Sequence, residues 1–108
     1  MISFDFLDSY LQKQGVIAGN SQKEELIVYS INDNIFAYVG KTSKPLRISL
    51  RVDEVLIKHL TEEYESVMPG HKLNPNKWLT LVVTGQLDDQ SIVDLVNRAI
   101  ALAKNTND

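Results

Sequence analysis

Residues 46–52 alternate strictly between apolar and polar side chains, in the order Leu46, Arg47, Ile48, Ser49, Leu50, Arg51 and Val52. A period of two is that of a β-strand, whose successive side chains point to opposite faces of a sheet. Such regular alternation predicts a strand with one buried face and one solvated face. Because the apolar face of a sheet must be buried against another layer, the strand also predicts helices on that side.

Three further strands are predicted around this one. Residues 25–31 and 35–39 are rich in apolar residues, and Asn32-Asp33-Asn34 separates them. Since Asn and Asp tolerate positive φ, these residues predict a hairpin turn. Residues 78–84 are the most apolar stretch of the chain. They predict a central strand that is covered on both faces.

Three helices are predicted from one repeated pattern at their starts. Each candidate N-cap, at Ser3, Asp53 and Asp88, has an apolar residue before it and another five positions further on. The pairs are Ile2 with Leu7, Val52 with Ile57, and Leu87 with Ile92. This is the spacing of a hydrophobic staple. It predicts helices over about 4–14, 53–67 and 89–104, with a loop over 16–24.

These elements together predict an α+β fold in the order α-β-β-β-α-(β)-β-α, with the bracketed short strand near residues 67–72. The natural arrangement is two-layer, an antiparallel sheet of four or five strands with helices on one face. A chain of 108 residues fits a single domain. We assign that domain to residues 1–104 and expect residues 105–108 to form a frayed tail.

The composition excludes several function classes. The chain has no cysteine, which rules out disulfides, thiolate metal sites and cysteine nucleophiles. No apolar run approaches the roughly 20 residues that span a bilayer. The N-terminus also lacks the basic start of a signal peptide. We therefore expect a cytoplasmic protein with no membrane attachment, and a monomer rather than an oligomer.

Positive charge is concentrated in two stretches, although the net charge is −3. Residues 41–51 and 69–78 contain no acid and hold six basic residues, Lys41, Lys44, Arg47, Arg51, Lys72 and Lys77. The other five of the eleven basic residues stand against all fourteen acidic ones. If the fold joins the two stretches, they form a stripe suited to phosphates. The alternative is that these side chains only protect an exposed sheet face and its edges.

A turn-rich segment over residues 69–78 precedes the last strand. It carries His71, Asn74 and the only tryptophan, Trp78. Trp78, like Tyr38, could stack on an exposed base. Its alternative place is the core, where the indole N–H would bond a carbonyl. His71 and Asn74 could contact a ligand, or they could fix the loop through hydrogen bonds to its backbone.

No group of residues in the sequence carries recognisable catalytic chemistry. The hydroxyls of Ser49 and Thr80 have no visible base partner. His59 has Glu62 and Glu63 one helical turn away. Two or three ligands on one helix, without a second His or a Cys nearby, make a poor metal site. We therefore predict a non-catalytic domain with no metal and no other cofactor.

The segment P-G-H-x-L-N-x-x-K-W, with the apolar strand, Gly85 and the closing helix behind it, resembles the MmcQ/YjbR family of small bacterial proteins. The upstream segment K-P-L-R-I-S-L-R-V-D is similar to that family too. The resemblance covers roughly residues 26–103. Its most specific matches are Pro69, His71, Asn74, Lys77 and Trp78. This chain has Pro75 and Asn76 where the family often has Lys and another residue, and Lys77 where a His often precedes the tryptophan.

The resemblance implies a two-layer α+β fold in a double-wing arrangement, related to secretion-chaperone-like folds, and a role in DNA binding. We therefore predict a weak nucleic-acid-binding module that acts through the basic hairpin, strand 46–52 and the 69–78 loop. The predicted contact residues are Lys41, Lys44, Arg47, Arg51, His71, Lys72, Asn74, Lys77 and Trp78. The alternative is a protein-interaction or chaperone-like adaptor that uses an exposed strand edge or the same loop and binds no nucleic acid.

Overall fold

A computed structural model describes residues 1–20, 25–70 and 73–105 of the chain. The described elements, in chain order, are α1 (Phe4–Gln12), β1 (Ile17–Asn20), β2 (Leu26–Ile31), β3 (Asn34–Gly40), β4 (Arg47–Arg51), α2 (Glu54–Glu63), β5 (Val67–Pro69), β6 (Trp78–Val82) and α3 (Asp89–Lys104). The strands form one sheet in the order β1-β2-β3-β4-β6-β5. Every neighbouring pair is antiparallel. The α+β class and the element order are confirmed, with six strands in place of four or five.

The buried apolar residues form one cluster between the helices and a single face of the sheet. The sheet contributes residues such as Val39, Leu50 and Leu81, all with no exposed surface. The helix α3 contributes Ile92 and the residues that follow it at helical spacing, which are Val96, Ala99, Ile100 and Ala103. Burial of this face is the main force that holds the two layers together.

The predicted helix starts are confirmed. Ser3, Asp53 and Asp88 accept hydrogen bonds from the backbone N–H groups of Phe6, Leu56 and Ser91, at 3.2, 2.9 and 2.8 Å. The apolar residue before each cap is buried, as a hydrophobic staple requires. The backbone N–H of Ser91 also holds the pKa of Asp88 below its usual value, because the bond favours the charged carboxylate.

The predicted hairpin between residues 25–31 and 35–39 is also confirmed, and it joins β2 to β3. Asn32 and Asp33 have φ values of 52° and 66°, the positive values that a two-residue hairpin turn needs. The ladder contains one bulge, since Tyr29 pairs with Ala37 while Ser30 pairs with Ile35. The unpaired Phe36 is fully buried, so the bulge adds a large side chain to the core.

The predicted loop over residues 16–24 is wrong in part, because residues 17–20 form β1. All four of its residues are exposed, and the segment I-A-G-N has no alternation of apolar and polar side chains. It is held instead by its ladder with β2, in which Ile17 pairs with Ser30 and Asn20 with Ile27. Residues 21–24 lie outside the described residues.

The prediction that the second helix continues to Val67 is wrong. The helix ends at Glu63, and Tyr64 has an extended backbone with φ −125° and ψ 125°. Val67 is 3% exposed and pairs with Leu81 in β5. A β-branched residue that completes the sheet edge gains more from burial there than from extending the helix. β5 is the short strand that was predicted near residues 67–72.

Candidate functional site

Opposite the helices, the sheet has a second face that we call the open face. By the strand registers it consists of Ile17, Gly19, Leu26, Val28, Ser30, Ile35, Tyr38, Gly40, Arg47, Ser49, Arg51, Met68, Trp78, Thr80 and Val82. None of its apolar residues belongs to the core cluster or packs against it. None of the fifteen residues is Asp or Glu. The face is thus apolar and basic, with no helix over it within the described chain.

At the centre of the open face, Ser49 of β4 pairs with Tyr38 of β3 on one side and Thr80 of β6 on the other. The hydroxyl oxygens of Ser49 and Thr80 are 2.9 Å apart. Ser49 is 9% exposed and Thr80 is fully buried. The predicted solvated face of β4 is therefore wrong at Ser49, which lies between Tyr38 and Thr80 in the interior of the sheet. The mutual hydrogen bond offsets the cost of burying the hydroxyls.

Two aromatic rings lie diagonally across this pair. The centroids of the Tyr38 and Trp78 rings are 5.3 Å apart, with 51° between their planes. This tilted geometry is one that aromatic pairs favour. Both side chains are half-buried. Trp78 thus lies neither in the core nor free in solvent, and its ring is part of the open face.

The loop before β6 fixes the position of Trp78. The backbone N–H of Gly70 donates to the Trp78 carbonyl at 2.8 Å, and the Trp78 N–H donates to the Asn74 carbonyl at 3.0 Å. The side-chain oxygen of Asn74 accepts from the Asn76 N–H at 2.9 Å. Asn74 therefore has the loop-fixing role that was one of its two predicted uses.

The close approach of the chain at residue 70 to Trp78 requires a glycine at that position. A Cβ atom at Gly70 would lie 2.7 Å from the Cβ of Trp78, which is closer than two carbon atoms can pack without moving. The glycine of the P-G-H segment therefore allows the chain to pass directly beside the tryptophan.

Arg47 and Arg51 lie at the two ends of β4 on the open face. Arg47 pairs with Val82, and Arg51 pairs with Trp78. They are four steps apart along the strand, which is about 13 Å. Among the described residues, neither arginine takes part in an ion pair. Arg47 is exposed and Arg51 is half-buried.

The remaining predicted contact residues do not gather into one stripe. The Lys41 ammonium lies 5.6 Å from the centre of the Phe4 ring in α1, so this side chain points toward the helix layer. Lys44 is exposed in the turn before β4, and Lys77 is exposed at the opposite end of that strand. His71 and Lys72 lie outside the described residues. The face combines Arg47 and Arg51 with one lysine near each end.

The residues that sequence reasoning left out of the site are the neighbours of the arginines. The sequence predicts Tyr38 only as a stacking residue and predicts no role in the site for Thr80, Val82 and Met68. The alternation in residues 78–82 contained a signal, since it places Trp78, Thr80 and Val82 on one face. The pairing of that face with the Arg47–Arg51 face depends on the sheet register, which the sequence does not reveal.

Outside the open face, the described residues include one exposed contact between a histidine and a glutamate. His59 and Glu63 of α2 lie 3.2 Å apart. Among the residues that the structure describes, no group of three or more His, Asp or Glu side chains is placed to hold a metal ion. No described helix is long and apolar enough to cross a membrane.

Comparisons with known proteins connect this fold to a bacterial relative. No family model matches the sequence. The chain is 29% identical over 75 residues to the Uncharacterized protein YjbR of Escherichia coli K12, across 69% of this chain and 64% of the relative. The same values hold for the YjbR protein of Escherichia coli O157:H7. The chain is a distant homologue of YjbR. The matched segment spans less than two thirds of the relatives' length.

Two solved structures share the fold. A Deinococcus radiodurans protein described as a DUF419 domain has a TM-score of 0.89 at 23% identity, over 100% of this chain and 83% of that one. A Pseudomonas syringae protein has a TM-score of 0.77 at 20% identity, over 95% of this chain and 99% of that one. At these identities the similarity establishes the fold alone.

Proposed function

We propose that this chain is a non-catalytic, cytoplasmic module that binds nucleic acid weakly through the open face. The observation that carries the proposal is the charge of that face. Two arginines and no carboxylate lie on an apolar sheet surface, in a chain whose net charge is −3. An acidic protein that keeps one face free of acid has a surface complementary to an anion. The DNA-binding role implied by the resemblance to the MmcQ/YjbR family points in the same direction.

The expected affinity follows from the number of cations. Arg47 and Arg51 stand on the face, and Lys44 and Lys77 lie near its two ends. About 13 Å of strand separates the arginines, so they would contact different phosphates. Binding to four phosphates releases few counterions, which gives weak attraction and a slope of about −3 to −4 in log affinity against log salt.

The experiment is an NMR titration of labelled protein with a mixed-sequence 12-mer DNA, as a single strand and as a duplex, at low and at higher salt. We expect the shifted amide signals to cluster on β4, β6 and the flanking turns, and to fade as salt rises. Unchanged spectra at high concentrations of protein and of both DNA forms would overturn the proposal. Shifts confined to the helices would overturn it as well.

A second candidate function is favoured by the edge strand β1. All four of its residues are exposed, and Ile17 is 67% exposed. Within the described part of the chain, β1 pairs only with β2. An exposed edge of this kind can accept an extended peptide as an additional strand, which would suit a protein-interaction adaptor.

Selection from a peptide array tests this candidate, with the wild-type chain compared with Ile17→Lys. A lysine on an edge strand opposes strand addition. Peptides that bind the wild type but not the variant would support the adaptor. Equal selection by both proteins, or no selection, would speak against it.

A further inference from the structure

We infer that the open face binds a single-stranded rather than a double-stranded polynucleotide, and that one unpaired base stacks on the Tyr38–Trp78 pair between Arg47 and Arg51. This inference rests on the proposed function and names its ligand. It concerns the two aromatic rings, whereas nucleic-acid binding in general requires only the cations.

The position of the two rings supports base stacking. Tyr38 and Trp78 lie on a sheet face that takes no part in the core cluster, and both are half-buried. Aromatic residues usually bury most of their surface in a core. Here they retain exposed surface at the middle of a sheet face that no helix covers among the described residues. Single-strand binding proteins use aromatic side chains on such faces to stack bases.

The cations bracket the rings. Arg51 is the direct cross-strand partner of Trp78. Arg47 lies two positions from Ser49, the cross-strand partner of Tyr38. A base on the aromatic pair would therefore have Arg51 beside Trp78 and Arg47 beyond Tyr38 along the strand. This arrangement allows the phosphates before and after the base to be contacted at the same time.

The platform is held in place before any ligand arrives. The Trp78 backbone is bonded to Gly70 and to Asn74, and its ring packs against the Tyr38 ring at a centroid distance of 5.3 Å. A platform that is already ordered loses little conformational entropy on binding. This advantage is important for a surface with only a few charges.

The width of the sheet argues against a duplex ligand. Six strands at a spacing of about 4.8 Å span roughly 24 Å. The major groove of B-DNA is about 12 Å wide and admits a helix or a two-stranded ribbon. The open face therefore cannot enter the groove. A paired base is also stacked on its neighbours, so its ring is not available to Tyr38 or Trp78.

The test uses Trp78 as its own probe, since it is the only tryptophan of the chain. Tryptophan fluorescence is recorded during titration with four 12-mers of matched length. They are single-stranded DNA, single-stranded RNA of the same sequence, the DNA duplex, and an abasic DNA strand that keeps the phosphates and lacks the bases. We expect either single strand to quench the fluorescence, and to bind about tenfold more tightly than the duplex or the abasic strand.

A pair of variants isolates the ring of Tyr38. Tyr38→Leu keeps an apolar side chain but removes the aromatic face, and Tyr38→Phe keeps the face. Binding is followed by anisotropy of a labelled single strand, and circular dichroism checks that each variant is folded. We expect Tyr38→Leu to bind the single strand about tenfold more weakly and to keep its affinity for the abasic strand. Tyr38→Phe should stay within about twofold of the wild type.

The outcomes separate this inference from the proposed function. Equal affinity for all four oligomers, with unchanged fluorescence, would overturn base stacking and leave nucleic-acid binding in place. An unchanged single-strand affinity in Tyr38→Leu would overturn it too. If Tyr38→Leu does not fold, comparing the affinities of the wild type for the abasic and the intact strand still decides whether a base stacks on the protein. Absence of binding by every oligomer would overturn the proposed function and this inference together.

Discussion

The hydroxyl groups of Ser49 and Thr80 lie 2.9 Å apart in the middle of the open face, and both residues are buried although no helix of the described chain covers them. Tyr38 and Trp78 belong to the strands on either side of β4, and their ring centroids are 5.3 Å apart. A buried hydroxyl pair at the centre of this face makes that part of it sensitive to the loss of either partner.

Thr80→Val should destabilise the protein, because it leaves the buried Ser49 hydroxyl without this partner. We expect the free energy of unfolding in urea to fall by about 1–3 kcal/mol. Adding Ser49→Ala removes the second hydroxyl, so the double variant should regain part of that stability. If the effects of the two single substitutions simply add in the double variant, the hydroxyls do not interact.

Gly70→Ala should also destabilise the protein, since the added Cβ would lie 2.7 Å from the Cβ of Trp78. Displacing the backbone beside a packed tryptophan costs about 1–3 kcal/mol. Gly19→Ala is the matched control, because a Cβ there meets no atom within 4 Å. Urea unfolding of both variants checks the prediction. Equal stabilities would mean that residue 70 has room for a side chain.

The features that the sequence predicted well are those fixed by local chemistry. The three N-caps with their staples, the Asn32–Asp33 turn and the alternation of β4 each depend on residues within a few positions of one another. The features that it missed depend on distant partners. β1 has no apolar pattern of its own. Val67 fits the apolar spacing of a helix in the sequence, yet in the structure it lies in β5 and pairs with Leu81.

The same distinction applies to the candidate site. Alternation alone placed Arg47 and Arg51 on one face of a strand. Predicting that Tyr38 and Trp78 lie beside them on the same face requires the register between β3, β4 and β6, which long-range packing decides. The separation of Lys41 from the arginines could not be predicted either, because it depends on the packing of α1 beside that lysine.

Tyr29→Phe should remove the part of the loss of stability at alkaline pH that comes from ionisation of Tyr29. Tyr29 is fully buried and donates to the Asp8 carboxylate at 2.8 Å. Burial, together with that bond and the carboxylate charge, raises the pKa of Tyr29 above its usual value of 10.0. The folded state therefore keeps its proton where the unfolded state has released it. The contribution of Tyr29 is complete below pH 10 and decreases as the pH rises above it.

The measurement for Tyr29 is urea unfolding of both proteins between pH 8 and pH 11. Below about pH 10 the difference in unfolding free energy between the wild type and Tyr29→Phe should be constant. Above that pH the difference should shrink by about 1.4 kcal/mol per pH unit. The comparison of two proteins cancels the titration of the lysines. A constant difference up to pH 11 would show that the tyrosine ionises equally in both states.

Arg47→Gln should weaken nucleic-acid binding and reduce its salt dependence. For each phosphate of a single strand that the protein no longer neutralises, the magnitude of the log–log salt slope falls by about 0.7. Arg51→Gln should do the same. The two effects should add in the double variant, since about 13 Å separates the residues and distant sites act independently. Affinity measured by anisotropy at four salt concentrations gives each slope.

Arg98→Gln is the matched control for this series, because it makes the same change of charge on a different surface. Arg98 is exposed on α3, in the layer of helices on the other side of the sheet. Its removal changes the net charge of the chain as much as the removal of Arg47, so long-range attraction falls equally in both variants. Only a local interaction with the phosphates makes Arg47→Gln the weaker binder. Equal reductions of affinity and slope in the two variants would place the phosphates elsewhere than on the open face.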